Sequence, residues 1–528
     1  PSRCLSIRIK LYGMDFSFAV PPNPSPVSWG RMMKVLLVHP SPLLYSEIYL
    51  RLEPLGLEYT AEAARRAGHE VRLLDLQIFT PKDFEDELRD FHPDAVGFSV
   101  NYLANVPEVL DLARLTKQRL PRAFVFCGGH SVSFIGEEVL EHSEGTLDCV
   151  ARGEGESVIP ALLEHIPRVN GLPGVLTPGG AGPRPALLPD LDSISPARDL
   201  TRKRHRYFIG ELDPCASIEF TRGCPWDCTF CSAWTFYNRR YRLADPERIA
   251  EEMARIREPN VFIVDDVAFI KPEHSRAVAE ALEKRGIRKR YYLETRCDVL
   301  LRHREVFAHW ARLGLQYMFL GLESLDAEQL RLFRKRVTPN ENFEALDVAR
   351  GLGIDVAINL IADPGWDLED FRRAREWAAG VPEIVHLTVS TPYPGTELFH
   401  SKHHELTSLD YRLFDIQHAV LPTRLPLRRF YEELVRTQSI INAKFMGWRT
   451  AAGVSRILAG QLVHGQTNFL RMLFKFPRIY RAERFYGDHF RPVRYALRPP
   501  PPFPGRPSAR DLMIHREEIR PAYSAKTN

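Results

Sequence analysis

Three cysteines on one short stretch are the residues whose types and spacing point most directly to chemistry. Cys224, Cys228 and Cys231 form the pattern Cys-x-x-x-Cys-x-x-Cys just after a strand-like run at residues 216–220. Three thiolates on one tight loop can hold three irons of a [4Fe–4S] cluster. The fourth iron then has no protein ligand and can bind another molecule. The spacing therefore predicts an iron–sulfur cluster with one open coordination position.

Structural zinc and a disulfide bond are the alternative uses of these thiols. Structural zinc takes four ligands, usually as two pairs, whereas the nearest other cysteines, Cys215 and Cys297, stand alone. Disulfide frameworks are typical of small secreted domains, and this 528-residue chain has eight scattered cysteines and no recognisable signal peptide. The pattern therefore favours the iron–sulfur cluster.

Polar residues also stand where predicted strands end, in the region that contains the cysteines. Residues 210–400 alternate between strand and helix patterns, which predicts six βα units arranged as a partial (β/α)6 barrel. Reactive residues of such folds lie at the carboxyl ends of the strands. The residues at those ends are Asp265, Asp266, Glu294, Arg296, Glu323 and Ser324. A structural ion pair of Arg296 with Glu294 or Glu323, and a helix cap at Asp266, are the simpler alternatives.

The region before the barrel predicts an α/β domain of a different kind. Residues 33–168 contain five strand–helix units, which predicts a doubly wound, flavodoxin-like parallel sheet. Ligands of such sheets bind at the carboxyl ends of the strands. The residues at those ends are Ser41, Ser99, Asn101, Gly128, Gly129, His130, Gly153, Glu154, Gly155 and Glu156. Taken alone, this domain is compatible with a nucleotide, a flavin, a phosphate or no ligand.

The remaining segments are assigned by composition. Residues 1–32 lack clear periodicity and are predicted to be a disordered extension. Residues 169–209 are rich in proline and glycine and predict a linker. Residues 401–528 predict a mainly helical region, with one helix at 430–445, an amphipathic pair at 454–476 and an extended, disordered proline-rich tail.

The overall charge hides an asymmetry between the two ends of the chain. The net charge of +4 combines 71 basic and 67 acidic residues. Of these, 22 basic and 10 acidic residues fall within 401–528, so that region carries +12 and the rest carries −8. A basic region can bind nucleic acid or an anionic membrane, or it can be a solvated face. No run of about 18 apolar residues occurs, so we expect a cytoplasmic protein without a transmembrane helix.

The cysteine motif, with Phe230 before its last cysteine, resembles the signature of the radical S-adenosylmethionine (SAM) family. The resemblance implies that the open iron binds the amino and carboxylate groups of SAM. It also implies SAM contacts from Phe230, Asp265, Asp266, Glu294, Arg296, Glu323 and Ser324. The chain departs from the family at Asp265-Asp266, where relatives carry the Gly-Gly-Glu motif that binds the SAM amino group.

The domain at 33–168 is similar to the cobalamin-binding domain of cobalamin-dependent radical SAM methyltransferases of class B. The turns Gly128-Gly129-His130 and 153–156 match that family, which implies that they contact cobalamin together with Ser41, Ser99 and Asn101. The Asp-x-His-x-x-Gly motif that supplies a cobalt ligand elsewhere is absent after the first strand. We therefore expect cobalamin without a histidine ligand, and His130 as a polar contact at the corrin periphery or a turn residue.

From Met33 onward the chain is similar to the bacterial hopanoid C-3 methylase family, most clearly at residues 39–47, 222–240, 264–270 and 414–423. The resemblance implies methylation of an unactivated sp3 carbon, C-3 of ring A of a hopanoid. One SAM is then the methyl donor through methylcobalamin, and a second is the source of the 5′-deoxyadenosyl radical. It also implies flavodoxin or ferredoxin as electron donor, no nucleic-acid partner, and peripheral contact of the basic C-terminal region with the inner face of the membrane.

Three other functions remain open at this point. The first is a cobalamin-dependent radical SAM cyclase, or a methylase of another lipid or natural product. The second is a tRNA-modifying radical SAM enzyme, although methylthiotransferases of that kind carry a second cysteine triad and here Cys4, Cys127 and Cys149 are widely spaced. The third is a sensor without catalytic activity, which would not need a site for cleaving SAM.

Overall fold

The computed structural model describes residues 6–11, 14–19, 32–444, 448–498, 508–517 and 520. The predicted disordered tail at 499–504 lies outside the described residues. Within the predicted disordered extension, Ser6–Leu11 (β1) and Met14–Ala19 (β2) pair as antiparallel strands, with Ile7 opposite Phe18 and Ile9 opposite Phe16. Apolar residues alternate along both segments, a pattern typical of strands, and the predicted disorder of residues 1–32 stays a prediction.

The N-terminal domain contains the five predicted parallel strands. Its strands are β3 (Lys34–His39), β4 (Leu50–Arg51), β5 (Glu70–Asp75), β6 (Ala95–Ser99), β7 (Phe124–Gly128), β8 (Cys149–Ala151), β9 (Val175–Thr177) and β10 (Gly180–Ala181). Its helices are α1 (Leu44–Tyr49), α2 (Leu55–Arg66), α3 (Pro81–Asp90), α4 (Val106–Arg119), α5 (Val132–His142) and α6 (Gly155–His165). The parallel strands lie in the order β5-β3-β6-β7-β8, and two apolar cores cover the two faces of the sheet. The doubly wound fold is confirmed.

The predicted linker at 169–209 is in part a piece of this sheet. Strand β9 pairs antiparallel with β8, and β10 pairs with β9, so the sheet has seven strands in all. Short strands separated by a Pro178-Gly179 turn have the composition of a loop, which is why the sequence did not show them. Further along, Arg198 is buried between the domains and binds Glu53 and Glu252.

The second half of the chain forms the predicted partial barrel. Its strands are β11 (Phe208–Ile209), β12 (Cys215–Ile218), β13 (Thr221–Arg222), β14 (Arg242–Leu243), β15 (Asn260–Ile263), β16 (Arg290–Thr295), β17 (Leu315–Glu323), β18 (Asp355–Ala362) and β19 (Ile384–Val389). Its helices are α7 (Ala233–Phe236), α8 (Pro246–Arg255), α9 (Pro272–Lys284), α10 (Cys297–Arg302), α11 (Arg304–Leu313), α12 (Ala327–Leu332), α13 (Pro339–Gly351), α14 (Leu368–Gly380) and α15 (Glu397–Lys402). Six parallel strands lie in the order β12-β15-β16-β17-β18-β19, which confirms the (β/α)6 prediction.

Alternation along the barrel strands separates an outer from an inner face. Outward residues such as Ile263, Leu293 and Leu320 belong to the large core under the helices. A separate aromatic cluster, which includes Phe262 and Tyr292, forms from the alternate positions. The part of the inner face formed by β15, β16 and β17 therefore carries large apolar and aromatic side chains.

The C-terminal region is mainly helical, as predicted. Its helices are α16 (Leu427–Ala443), α17 (Trp448–Val463), α18 (Asn468–Ile479), α19 (Ala482–Asp488) and α20 (Ala509–Leu512). Helix α16 packs on α14 and α19, while α18 packs on α1. Within the described residues, no helix is both long enough and apolar enough to cross a bilayer.

Candidate functional site

The cysteine loop begins at the carboxyl end of β12 and is anchored by Asp265, which follows β15. The Asp265 carboxylate accepts hydrogen bonds from the backbone N–H groups of Phe220 (2.8 Å) and Thr221 (3.0 Å) and from the Thr221 hydroxyl (2.6 Å). Burial raises the pKa of Asp265 to about 8, even though these donors favour the ionised form. The predicted SAM contact at Asp265 remains untested, and its carboxylate oxygens are already engaged by the loop.

The three thiols lie close enough to influence one another. Burial raises the pKa of Cys231 to about 12, and Cys228 adds to the shift. Burial and the other two cysteines likewise raise the pKa of Cys224. No group of three or more His, Cys, Asp or Glu side chains in the described ranges converges on a single ion. A [4Fe–4S] cluster needs no such convergence, because each thiolate binds a different iron.

Two buried cations flank the cysteine loop. The Arg296 guanidinium donates to Cys228 Sγ at 3.7 Å and to the carbonyl of Lys335, pairs with Asp298 at 2.8 Å, and stacks 4.3 Å from the Trp226 ring. Lys335 is buried, and its charge offsets a small part of the rise that burial causes in the pKa of Cys231. Cations beside thiolates favour their charged form, so this donor set suits a negatively charged cluster.

Three carboxylates stand at neighbouring strand ends beside the loop. Burial raises the pKa of Glu294 to about 7, with Asp266 and Glu323 adding to the shift. Burial also raises the pKa of Asp266 to about 6, against the hydrogen bond that it accepts from the Gly223 N–H at 2.9 Å. Glu323 is buried, Glu294 is half-buried and Asp266 is exposed. Because surrounding protein raises the pKa of both accessible carboxylates, Glu294 and Asp266 face a space lined by protein rather than bulk water.

Glu323 occupies a strained backbone position at the end of β17. Its φ is +65°, in the left-handed region that residues other than glycine rarely adopt. Its carboxylate binds Lys335 Nζ at 2.8 Å, and Asn359 Nδ2 lies at 3.5 Å. Such strain is found where surrounding structure holds a functional group in place. Ser324 follows it, and its hydroxyl accepts from the Asp326 N–H at 3.1 Å.

Phe230 lies half-buried on the same loop. Its ring meets Phe333 edge-on at 5.0 Å, and the neighbouring Thr229 N–H donates to the Phe333 carbonyl at 3.1 Å. Phe230 is therefore fixed next to the last cysteine.

On the N-terminal domain, the predicted contacts at the ends of β3, β6 and β7 share one edge of the sheet. Ser41 donates to Glu108 at 2.6 Å, and Ser99 is buried at the end of β6. Asn101 accepts from the His130 N–H at 3.2 Å. Gly128 ends β7, and Gly129 has a φ of +123° with no room for a Cβ beside the Val100 carbonyl. These residues therefore share one edge of the sheet, and their contact with cobalamin stays a prediction.

His130 reaches across to the cysteine loop. Its Nε2 lies 2.7 Å from the Ser232 hydroxyl, next to Cys231, and its ring stacks on Phe236 at 4.6 Å. Burial lowers the pKa of His130 to about 4, so the imidazole is neutral at physiological pH. His130 therefore joins the glycine turn of one domain to the cluster loop of the other.

The second predicted cobalamin turn, at 153–156, forms a buried ion-pair network with the barrel. Glu154 binds Arg222 at 2.8 Å and Arg242 at 2.7 Å, and Glu156 binds Arg222 at 3.0 Å. Gly153 has a φ of +85°, with His515 from the C-terminal segment packed against it, and Gly155 opens α6. Both carboxylates thus have partners in the barrel, and their predicted contact with cobalamin stays a prediction.

The strand-end edges of the two domains face one another, and we infer a cavity between them. Tyr102, which follows β6, is 52% exposed, yet surrounding protein raises the pKa of its phenol, and the Glu294 carboxylate adds to the shift. Tyr102 contributes in turn to the raised pKa of Tyr393, after burial and Asp415. A side chain that is accessible but surrounded by protein faces a cavity. The strand ends of both domains therefore meet around one space.

Several residues of this site carried no signal in the sequence. Lys335 lies in a basic loop after α12, while Ser232 and Tyr102 are single polar residues in ordinary surroundings. Their roles depend on partners from distant segments. His130 and Ser232, for example, are 102 positions apart in the sequence. Only the folded chain brings these pairs together.

The fold and this site define a cobalamin-binding radical SAM enzyme, and comparison with family models agrees. The model of the B12 binding domain matches residues 43–163, and the model of the radical SAM superfamily matches residues 218–378. The cofactors that these domains imply are cobalamin, SAM and a [4Fe–4S] cluster.

Similar proteins with known names identify the family more closely. The chain is 57% identical to the hopanoid C-3 methylase of Methylococcus capsulatus, over 92% of this chain and 96% of that protein. It is 26% identical to an anaerobic magnesium-protoporphyrin IX monomethyl ester cyclase of Rubrivivax gelatinosus, over 72% of each chain. The chain therefore belongs to the hopanoid C-3 methylase family.

Solved structures support the same fold. The cobalamin-dependent radical SAM enzyme OxsB, with aqua-cobalamin and SAM bound, has a TM-score of 0.60 at 15% identity and covers 87% of this chain and 80% of its own. The radical SAM methyltransferase TsrM of Kitasatospora setae, with cobalamin and a [4Fe–4S] cluster bound, has a TM-score of 0.56 at 17% identity and covers 78% of this chain and 85% of its own.

Proposed function

We propose that this protein methylates C-3 of ring A of a hopanoid, an unactivated sp3 carbon. The observation that carries the proposal is the 57% identity, along nearly the whole of both chains, to a relative named for that reaction. Cyclases of the same superfamily are far more distant, at 26% identity. The aromatic inner face of the barrel suits an apolar polycyclic substrate.

The residues of the chain bind, orient and enclose the cofactors. Cys224, Cys228 and Cys231 would hold the cluster, and Arg296 and Lys335 offset its negative charge. When bound, the cluster and one SAM supply the radical that removes hydrogen, while a second SAM and cobalamin supply the methyl group. The edge around Gly128-Gly129 and Asn101 would hold cobalamin, since it borders the cavity that the cluster loop also borders.

The carboxylates at the strand ends give this cavity a negative potential. Burial raises the pKa of Glu294, and the neighbouring Asp266 and Glu323 carboxylates add to the shift. Their charges attract the sulfonium and ammonium groups of SAM, since opposite charges interact strongly where water is scarce. We propose that they orient SAM within the cavity and that Phe230 packs near its adenine.

The aromatic inner face would contact the hopanoid. Phe262 and Tyr292 are buried there, with Tyr317 and Phe319 packed beside them. Such a surface keeps water away from reactive species and offers apolar and aromatic contacts to a polycyclic ring system. The side chains therefore select for a rigid apolar substrate.

We further propose flavodoxin or ferredoxin as the electron donor, and a peripheral location at the inner face of the membrane, where the substrate resides. Neither requires nucleic acid as a partner. Both follow from the chemistry of the proposed reaction, which consumes a low-potential electron and acts on a lipid.

Expression in a bacterium that makes hopanoids without the C-3 methyl group tests the proposal. Mass spectrometry of extracted lipids should show a hopanoid heavier by one methylene, with the added methyl group on ring A. The matched Cys228→Ala variant should yield none, because it lacks one cluster ligand. A lipid profile identical to that of the empty host, with wild-type protein folded and loaded with cluster, would refute the hopanoid assignment.

A further inference from the structure

Residues 434–482 have a charge composition that no other function of the chain explains. They contain eight Lys and Arg residues and no Asp or Glu. Helices α17 and α18 make up most of this stretch. Arg471, Lys475 and Arg478 are spaced by four and three positions, so they share one face of α18. Lys475 pairs with Glu47 at 2.8 Å, whereas no carboxylate in the described residues pairs with Arg471 or Arg478.

Large apolar side chains are exposed beside these charges. Leu462 and Val463 end α17, and Leu473 and Phe474 lie in the middle of α18; Val463 is 83% exposed and Phe474 is 61% exposed. In the described parts of the chain, four of the fourteen exposed large apolar side chains fall within these 13 positions. Clustered apolar exposure of this kind marks an interaction surface rather than ordinary surface variation.

A groove of about 510 Å³ runs between α18 and the N-terminal domain. Ile48, Phe208 and Met472 line it together with Arg51 and Arg471. The groove therefore continues the same mixture of apolar and basic groups inward from the exposed surface.

The groove lies beside the open side of the partial barrel. The two edge strands are β12 and β19. Asn468 of α18 binds Asp213, just before β12, at 3.1 Å. Tyr49 of α1 lies 5.3 Å from His386 of β19 and 6.3 Å from Phe476 of α18. Helices α1 and α18 thus lie across the gap between the edge strands. This gap leads to the inner face of the barrel.

We propose that Leu462, Val463, Leu473 and Phe474, with Arg471, Lys475 and Arg478, form a surface that docks the enzyme onto an anionic bilayer. Charge complementarity identifies the occupant, because a stretch without acidic residues suits anionic lipid headgroups. The apolar side chains then enter the boundary between headgroups and acyl chains, as in interfacial amphipathic helices. Docking would turn the open side of the barrel toward the membrane; this choice of partner rests on the proposed lipid substrate.

Vesicle flotation of the full-length, reconstituted protein tests the surface directly. The probes are vesicles of phosphatidylcholine alone and vesicles that contain about one-third of the anionic lipid phosphatidylglycerol. We expect at least about tenfold stronger binding to the anionic vesicles and its loss in high salt. Leu473→Ser with Phe474→Ser, and separately Arg471→Gln with Arg478→Gln, should each lower binding about tenfold.

Two control variants place matched changes outside the surface. Phe490→Ser alters another exposed aromatic residue of the C-terminal region, and Arg331→Gln alters an exposed arginine on α12. Both should bind vesicles like the wild type. Equal wild-type binding to both vesicle types, or unchanged binding of both surface variants, overturns the proposal. The proposal is also overturned if vesicle binding is absent and the protein is instead a dimer that the double variant Leu473→Ser with Phe474→Ser separates.

The readout is independent of catalysis, so it separates this proposal from the hopanoid assignment. Failure to methylate a hopanoid, with vesicle binding intact, would overturn only the substrate. If both proposals hold, the surface variants should methylate a detergent-solubilised hopanoid at the wild-type rate. They should be about tenfold slower on a hopanoid embedded in anionic vesicles. Slowing in both assays would show a structural defect instead.

Discussion

The buried Arg296 side chain connects the cysteine loop to the barrel. It donates to Cys228 Sγ and to the Lys335 carbonyl, pairs with Asp298 and stacks on Trp226. Burial alone would lower its pKa, but Asp298 and the nearby cysteines raise it. Its charge is therefore permanently present beside the cluster position.

Arg296→Met should make the cluster harder to reduce. The substitution removes a cation next to a group that becomes more negative on gaining an electron, while it keeps much of the apolar volume. A lost interaction of about 1.4 kcal/mol lowers the midpoint potential by about 60 mV. Redox titration followed by electron paramagnetic resonance measures the shift. Arg331→Met, on an exposed arginine, is the control, and an unchanged potential at full cluster content would contradict this role.

Ile416 is a β-branched residue held at a φ of +60°, a conformation that is costly for its side chain. Asp415 caps the turn by accepting from the N–H groups of Gln417 and His418. The Ile416 carbonyl accepts from the Val389 N–H at the end of β19, and the Tyr393 hydroxyl donates to the Phe414 carbonyl at 2.7 Å. The exposed Ile416 side chain therefore lies at the strand-end rim, near Tyr393.

Ile416→Gly separates the strain from the function of this side chain. Glycine adopts a positive φ without cost, so the variant should be as stable as the wild type or more stable by about 1 kcal/mol. If the side chain positions substrate, methylation should fall about tenfold, while deoxyadenosine formation falls less. Thermal unfolding and product ratios measure both effects. Unchanged methylation would remove Ile416 from the substrate site.

The residues 508–517 form an element that the sequence did not place at the site. Leu512 and Met513 pack against Trp234, whose indole N–H donates to the Cys228 carbonyl at 3.0 Å. Asn238 donates to the carbonyls of His515 and Glu517. Residues 508–517 therefore cover the helix that follows the cysteine loop.

Leu512→Ala should loosen this cover. Truncating a buried leucine costs about 2–5 kcal/mol, enough to populate the undocked segment. We expect faster proteolysis within residues 508–517 and faster loss of the cluster in air, which optical absorbance follows. Arg516→Ala, an exposed position on the same segment, should change neither rate. Equal cluster lifetimes in wild type and Leu512→Ala would show that the segment does not protect the loop.

Among the elements of the fold, long regular helices and strands could be predicted from the sequence, whereas short strands and contacts between distant segments could not. The strand–helix units predicted within 33–168 and 210–400 appear in the structure, with strands such as Lys34–His39 and Leu315–Glu323, because long apolar runs between helices leave little ambiguity. Strand β9 has three residues among prolines and glycines, too few to show a period. The cysteines were predictable from spacing, but the partner of Glu154 was not, since Arg222 lies 68 positions away.

The whole molecule is held together by buried ion pairs between its two domains. Arg198 joins Glu53 of the N-terminal domain to Glu252 of α8. Glu154 joins Arg222 and Arg242. Burial alone would raise the pKa of Glu154, but the two arginines outweigh it and lower the pKa to about 2. These pairs fix the edge that we propose binds cobalamin against the cysteine loop.

Glu154→Gln should destabilise the domain contact in a pH-dependent way. A pKa lowered from 4.5 to about 2 corresponds to about 3 kcal/mol of stability. That contribution is fully present above pH 4.5 and is lost as the pH falls toward 2. The difference in unfolding free energy between wild type and variant should therefore be constant from about one pH unit above 4.5 up to about pH 8. It should shrink at lower pH. A difference that does not depend on pH would contradict the ion-pair origin.

The assembled cavity, with cluster loop and cobalamin edge facing one another, predicts that both cofactors act in one turnover. An anaerobic reaction of the reconstituted protein with cobalamin, a reductant, a desmethyl hopanoid and SAM labelled in its methyl group tests this most directly. Mass spectrometry should find the label on the hopanoid, with deoxyadenosine and S-adenosylhomocysteine formed in equal amounts. Deoxyadenosine without labelled lipid, from protein fully loaded with cluster and cobalamin, would contradict the account.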